Sequence, residues 1–232
     1  MALRRNVKQC HAIRNRSMDS IEPRESIYGD KLPELEETMH YLVDVLNSFK
    51  KDIDIEHIVS RIKSEESMRE KCRRRGLPET TDSALNELYD AVGVRVVCAF
   101  VKDVYRVRSR ISKVKDIEVI SEKDYIRHAK PNGYRSLHML IKVHGKVNAE
   151  IQLRTISMDT WAALEHHMKY KKNISDNVEL ITGELKRCAD ELASTDISMQ
   201  TLKDMIYDDA GADDASSDSK NAEGVNESDS ES

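Results

Sequence analysis

Residues 93–100 read Gly-Val-Arg-Val-Val-Cys-Ala-Phe, and this β-branched, apolar run constrains the fold more than any other stretch. It is read as a buried strand, because such side chains fit a pleated surface and the backbone amides need strand partners. Candidate partners are present. A Pro131-Asn132-Gly133 turn leads into residues 137–144, His144-Gly145-Lys146 reads as a hairpin turn, and residues 147–154 return as the second arm. Residues 55–63 alternate as a further strand, and 117–120 are strand-like. Helical patterns lie between them. Leu35, Met39, Leu42, Val43, Leu46 and Phe49 recur at three- and four-residue steps. Ser64 is placed to cap a helix ending at Gly76, and Asp82 to cap one through Ala84, Leu88 and Tyr89. Val104, Val107, Ile111 and Val114 form another, followed by residues 158–172 and a last region from about 177 to 207. Strands and helices alternate without a strict βαβ rhythm. The expected fold class is therefore α+β, a mixed β-sheet flanked by helices.

Charge divides the chain. Of the formal −5, residues from Asp208 onward carry −8, nine acids against Lys220, which leaves +3 for residues 1–207. The tail has almost no apolar content and reads as a disordered acidic segment, 208–232. Residues 1–27 show no clear period and read as a loose leader, so the domain is expected at 28–207. The leader's basic start (Arg4, Arg5, Lys8, Arg14, Arg16) reads as a solvated arm, with a targeting signal as the alternative. A mildly basic domain suits an anionic substrate. It gives no argument for DNA, and an RNA partner is left open without support. Cys10, Cys72, Cys98 and Cys188 form no CxxC pair, so reduced thiols in a cytoplasmic protein are expected rather than zinc or disulfides. No apolar run approaches the roughly 20 residues of a membrane span.

Three groups of residues carry candidate chemistry. Asp90 lies just before the 93–100 strand, and Glu150 sits inside an otherwise apolar strand, Ala149-Glu150-Ile151-Gln152-Leu153-Arg154. A carboxylate there is costly unless it is at an edge, paired or holding a cation. If the two strands are neighbours, the pair can share Mg²⁺, which takes oxygen ligands and leaves room for phosphates. The alternative is that Glu150 faces solvent or bridges to Arg154. A second group is Arg61, Lys63, Ser67 and Lys71, where the four-residue spacing of 63, 67 and 71 puts them on one helical face near a helix start. A polyphosphate suits that face; a solvated basic face is the alternative. The third runs from Lys130 to His138. Tyr134, just past the turn, is placed to stack on a purine, with Lys130 and His138 near its phosphates. A half-buried tyrosine in a hairpin entry is the alternative. His166 and His167 with Glu165 make no metal site, since adjacent residues diverge around a helix.

Taken together, these segments resemble one family. Arg61-x-Lys63-x₃-Ser67-x₃-Lys71, Tyr89-Asp90-Ala91-Val92-Gly93-Val94-Arg95, Asn132-Gly133-Tyr134-Arg135-Ser136-Leu137-His138 and Glu150-Ile151-Gln152-Leu153-Arg154-Thr155 are similar, in order and spacing, to the synthetase domain of RelA/SpoT proteins. Met158-Asp159-Thr160-Trp161-Ala162 and Leu164-Glu165-His166 continue the likeness, which covers roughly residues 28–200. With no hydrolase or regulatory domain in view, the chain resembles the stand-alone small alarmone synthetases.

The resemblance implies a nucleotidyltransferase-like domain that moves the pyrophosphate of ATP to the 3′-hydroxyl of GDP or GTP. The products are AMP and ppGpp or pppGpp, the signals of the stringent response. It implies Arg61 and Arg95 around adenine; Lys63, Ser67 and Lys71 on the ATP phosphates; and Asp90 and Glu150 as Mg²⁺ ligands, with Glu150 taking the 3′-hydroxyl proton. It places Tyr134 on guanine, Lys130 and His138 on the acceptor phosphates, and Gln152 and Asp159 also in the guanine-nucleotide pocket. A homo-tetramer is open. Residues 57–60 lack the Phe and Thr with which some tetrameric relatives bind product, so that regulation is not expected. Two rivals are a non-catalytic nucleotide or RNA binder, which has no need of both carboxylates, and a nucleotidyl-transferring enzyme, whose Gly-Ser start and close Asp-x-Asp pair are absent.

Overall fold

The computed structural model describes residues 25–170 and 177–220. Five strands form one sheet: β1 (Ile55–Ile62), β2 (Val92–Cys98), β3 (Ile117–Asp124), β4 (Leu137–Val143) and β5 (Val147–Thr155). Their order is β1-β2-β5-β4-β3. Only β2 and β5 run parallel; the other pairs are antiparallel. The sheet is therefore mixed, and the 93–100 run lies one strand in from the edge. The β4–β5 hairpin turns through the three residues His144, Gly145 and Lys146, the first two at positive φ, and Lys146 N–H donates to the Val143 carbonyl.

Each central strand has one apolar and one polar face. Val94, Val96, Ile151, Leu153, Met139 and Ile141 are fully buried on one side, in the same core as Leu35, Leu42 and Leu46 of α1 (Leu32–Ser48) and Val104, Val107 and Ile111 of α3 (Val101–Ile111). The pleat turns the alternate residues to the other side. There the register aligns Arg61, Gly93, Glu150 and Leu140 in one row and Val59, Arg95, Gln152 and His138 in the next. Polar side chains from four strands thus share one surface.

Three helices frame it. α2 (Glu65–Arg75) starts at Ser64, whose side chain accepts from Ser67 N–H, and stops at Gly76 in the left-handed region. α4 (Ile156–Tyr170) leaves β5 directly, and α5 (Val178–Lys220) packs on α4 and α3. Gly133 takes φ +92, and a Cβ there would lie 2.6 Å from the Ala189 Cβ of α5, so this turn needs glycine on two counts.

Several expectations are corrected. Residues 25–27 belong to the packed domain: Ile27 is buried, Ser26 Oγ donates to Glu65, and Arg69 donates to the Glu25 carbonyl. Asp82 caps no α-helix; Ser83–Glu87 is a short π-helical turn without a side-chain cap. The backbone of α5 is helical through Lys220, past the boundary expected at 208, because a helix already nucleated propagates through polar residues. The first 24 residues and 221–232 lie outside the described residues, as do 171–176. Among the described residues no helix is long and apolar enough to cross a membrane.

Candidate active site

The junctions around β1 and β2 fix the first half of the site. Lys63 N–H donates to the Ala91 carbonyl, extending the β1–β2 ladder by one step, and the Tyr28 hydroxyl donates to the Lys63 carbonyl at 2.6 Å. Tyr89 holds φ 56, unusual for a bulky residue, and the chain reverses there so that Asp90 points back toward Lys63. Lys63 precedes the cap of α2 and so does not share a helical face with Ser67 and Lys71. The two lysines converge through space instead. Their Nζ atoms lie 2.7 and 2.6 Å from Asp90 Oδ2. Asp90 Oδ1 is buried with no hydrogen-bond partner among the described residues. Ser67 is exposed in the first turn of α2 and bonds Ser64 Oγ at 2.8 Å.

Glu150 forms the second half. His138 Nδ1 lies 3.0 Å from Oε1, and Gln152 Nε2 donates to Oε2 at 2.9 Å. Burial pushes the carboxyl up, but the hydrogen bonds from His138 and Gln152 and the nearby Lys71 together hold its pKa at about 2. It is ionised at any physiological pH. Arg154 is not its partner. That buried guanidinium donates to Asp159 Oδ1, Tyr134 Oη and Gln152 Oε1 at 2.9, 2.8 and 3.1 Å. The Arg154-bridged alternative for Glu150 is displaced, and its side chain, 30% exposed, faces the open cleft while held by His138 and Gln152.

The third group closes one end. Tyr134 lies in the loop before β4, not in the strand, yet its hydroxyl is 2.8 Å from His138 Nε2. Tyr125, His138 and Trp161 meet its ring edge-on, and Lys130 Nζ and Arg154 Cζ lie 4.7 and 5.2 Å from its centroid. Asp159, in the first turn of α4, also takes Arg95 at 3.1 Å. Arg154 carried no role of its own in the sequence. Its signal was there, a second charge on the strand face that holds Glu150, but spacing does not say which partner it chooses.

Val59, Arg61, Lys63, Asp90, Gly93, Val94, Arg95, Glu150 and Gln152 line one cleft open to solvent. Two carboxylates face it, one with an orphaned oxygen and one kept ionised, which fits a hard divalent cation. Among the described residues no cluster of three acidic, His or Cys groups would enclose a metal by protein alone, so the remaining ligands would come from substrate and water.

The comparisons agree with this geometry. Residues 60–175 match the model of the region found in RelA / SpoT proteins. The chain is 42% identical over 156 residues to the GTP pyrophosphokinase YwaC of Bacillus subtilis, a match spanning 64% of this chain and 74% of that one. The crystal structure of the small alarmone synthetase 2 from Bacillus subtilis superposes with a TM-score of 0.62 at 36% identity, covering 75% of this chain and 97% of that one. That of small alarmone synthetase 1 from the same organism, bound to its product pppGpp, gives 0.63 at 29%, covering 75% and 93%. The matched region spans β2, β4, β5 and the cleft residues from Arg61 to Gln152, and the chain belongs to the RelA/SpoT family.

Proposed function

We propose that this chain transfers the β,γ-pyrophosphate of ATP to the 3′-hydroxyl of GDP or GTP, releasing AMP and making ppGpp or pppGpp. The observation that carries this reading is the pair of ammonium groups on Asp90 Oδ2 facing the ionised Glu150 across one cleft. Lys63 and Lys71 outnumber the oxygen they share, so the pocket keeps positive charge for a triphosphate. Arg61 and Arg95 stand on adjacent strands and reach the same cleft, where planar guanidinium groups suit the faces of adenine. Ser67 adds a hydroxyl at the start of α2, beside backbone N–H groups that favour anions.

The acceptor takes the other side. Tyr134 stacks on guanine once Lys130, an exposed side chain, swings from the ring toward the acceptor phosphates. Asp159, fixed by Arg95 and Arg154 through Oδ1, offers its other oxygen to guanine N–H groups, and Gln152 borders the two pockets. His138 departs from its expected place on the phosphates, because both of its ring nitrogens are engaged inside the protein.

Glu150 accepts a hydrogen bond from the 3′-hydroxyl and orients its oxygen in line with the β-phosphorus. The O3′–Pβ bond forms as the bond from Pβ to the α-bridging oxygen breaks, the electron pair leaves on AMP, and the hydroxyl proton passes to Glu150. A carboxylate of pKa about 2 is a weak base, so positioning and charge neutralisation supply most of the rate. Mg²⁺, held by Asp90 and Glu150, neutralises phosphate charge when bound. The test is incubation with ATP, Mg²⁺ and GDP, GTP or GMP, with products resolved by ion exchange. AMP formed in step with a 3′-pyrophosphorylated guanosine nucleotide is expected; ATP consumption without it overturns the assignment.

A further inference from the structure

The hydrogen bonds around Glu150 have a direction, and Arg154 sets it. A guanidinium only donates. Arg154 Nη2 donates to Tyr134 Oη at 2.8 Å, so the single hydrogen of that hydroxyl is available to His138 Nε2, also at 2.8 Å. Nε2 is then an acceptor. The neutral imidazole therefore carries its hydrogen on Nδ1, which donates to Glu150 Oε1 at 3.0 Å. An imidazolium would instead aim N–H at a tyrosine oxygen already accepting from Arg154, leaving the hydroxyl hydrogen to seek another acceptor.

A second arm runs through Gln152. Arg154 Nη2 also donates to Gln152 Oε1 at 3.1 Å, and this decides which end of the amide faces it. The amide nitrogen is left to donate to Glu150 Oε2 at 2.9 Å. Each arm ends as a donor on a different oxygen of one carboxylate. The guanidinium itself is pinned: its residue is 5% exposed, Nη1 lies 2.9 Å from Asp159, and Nε lies 3.5 Å from Ser136 Oγ.

We propose that Arg154 is a positioning residue. Through Tyr134–His138 on one side and Gln152 on the other, it fixes the rotamer and hydrogen-bond polarity of Glu150, which it does not touch. His138 is then a positioning residue too, rather than a phosphate contact, and the Tyr134 hydroxyl has a task separate from that of its ring. The proposal rests on the reading of Glu150 as the group that meets the 3′-hydroxyl.

Single-arm variants test it. Tyr134→Phe keeps the ring and removes only the hydroxyl; Gln152→Met keeps length and removes the amide. Each is expected to lower kcat roughly tenfold with KM for both nucleotides within about twofold, since outer partners of a ligating group contribute on this scale. The double variant and Arg154→Lys should both fall on the order of 10²-fold, the scale of a misplaced reacting group. If Arg154→Lys does not fold, the single-arm variants, which keep Arg154, decide. Independently of turnover, ¹⁵N resonances of the His138 ring, assigned with His138→Gln in nucleotide-free protein, should show hydrogen on Nδ1 in the wild type and a shift toward Nε2 in Tyr134→Phe. A wild-type Nε2–H overturns the relay. So does a His138→Gln or Tyr134→Phe protein whose acceptor KM rises while kcat holds, which makes those groups direct substrate contacts. Because the ring spectrum is read without substrate, a wild type that makes no alarmone counts against the proposed function and leaves the relay standing.

Discussion

Lys63 and Lys71, from different elements, place their ammonium groups on one oxygen of Asp90, at 2.7 and 2.6 Å. Two cations on one carboxylate leave one positive charge over, which the nearby ionised Glu150 offsets only in part and which a phosphate can balance. The arrangement also makes the lysines partly redundant for structure, because either one still neutralises the part-buried Asp90.

Lys63→Ala and Lys71→Ala should therefore each weaken ATP binding while leaving the fold nearly as stable. A hydrogen bond to a charged group contributes about 1.5–3 kcal/mol, or roughly 10- to 150-fold in affinity. The double variant strips Asp90 of both cations, and breaking a buried pair costs about 3–5 kcal/mol. Nucleotide titration and urea unfolding of the three variants check this. Additive stability losses would show that the two lysines do not share one role.

Tyr134→Ala should weaken the guanine nucleotide about 5- to 150-fold, the value of one base–aromatic stack, and ATP far less. Arg95→Ala should do the reverse. Titration with one nucleotide at a time separates the pockets. Equal loss of both in Tyr134→Ala would mean that the ring, held among Tyr125, His138 and Trp161, acts only in packing.

The mixed sheet was legible because the 93–100 run is β-branched and apolar and the His144-Gly145-Lys146 turn marks the 137–154 hairpin. The cap at Ser64 and the stop at Gly76 were legible for the same local reason. What spacing does not carry is partner choice across space. Lys63 reads as helical beside Ser67 and Lys71, yet it ends a strand and meets Lys71 only at Asp90. Glu150 has Arg154 on its own strand face, yet takes His138 from the next strand and Gln152 from its own. The buried Ile27 was hidden by a leader with no period; its contacts come from α2, some forty residues on.

Cys98 is fully buried in β2, and burial, with Asp103 and Asp54 nearby, pushes its thiol up to about 12. Thiolate is the reactive form, so Cys98 should resist an aromatic disulfide reagent in native protein at pH 8 and react only on unfolding. Cys72, also fully buried and raised, should behave alike, whereas the part-exposed Cys188 should react before either. Mass spectrometry of labelled peptides reads the order. Early labelling of Cys98 would mean that β2 opens locally.

Gly133→Ala should destabilise the protein by about 2–4 kcal/mol, combining left-handed strain with overpacking against α5. Adding Ala189→Gly removes the 2.6 Å clash but not the strain, so part of the loss should return. Because Arg135 also ties this turn to the Ala189 carbonyl and Asp190, acceptor binding through Tyr134 should fall with it. Thermal unfolding of the single and double variants measures the partition. Ala189→Gly alone supplies the cost of the helical glycine, about 1 kcal/mol, and no recovery beyond that would place the loss in backbone conformation and the 3.1 Å approach to Lys186 Cα.

Glu150→Gln should lower turnover on the order of 10²–10⁴, through lost charge at the cation site and lost basicity. It should also change stability in a pH-dependent way. Both neighbours of the carboxylate donate, and a glutamine offers only one acceptor, so one arm must face another donor. The folded pKa of about 2 lies below the ordinary 4.5, so the wild-type carboxylate contributes stability that is fully present above about pH 5. That contribution is lost as pH falls toward 2. At roughly 1.4 kcal/mol per unit it is at most about 3.5 kcal/mol, reduced by the side chain's partial exposure. Denaturant unfolding of both proteins from pH 7 downward should show a gap that is constant to about pH 5 and then closes. A gap that stays parallel through the acid range would mean that His138 and Gln152 do not hold the ionised form, and the depressed pKa would have to be abandoned.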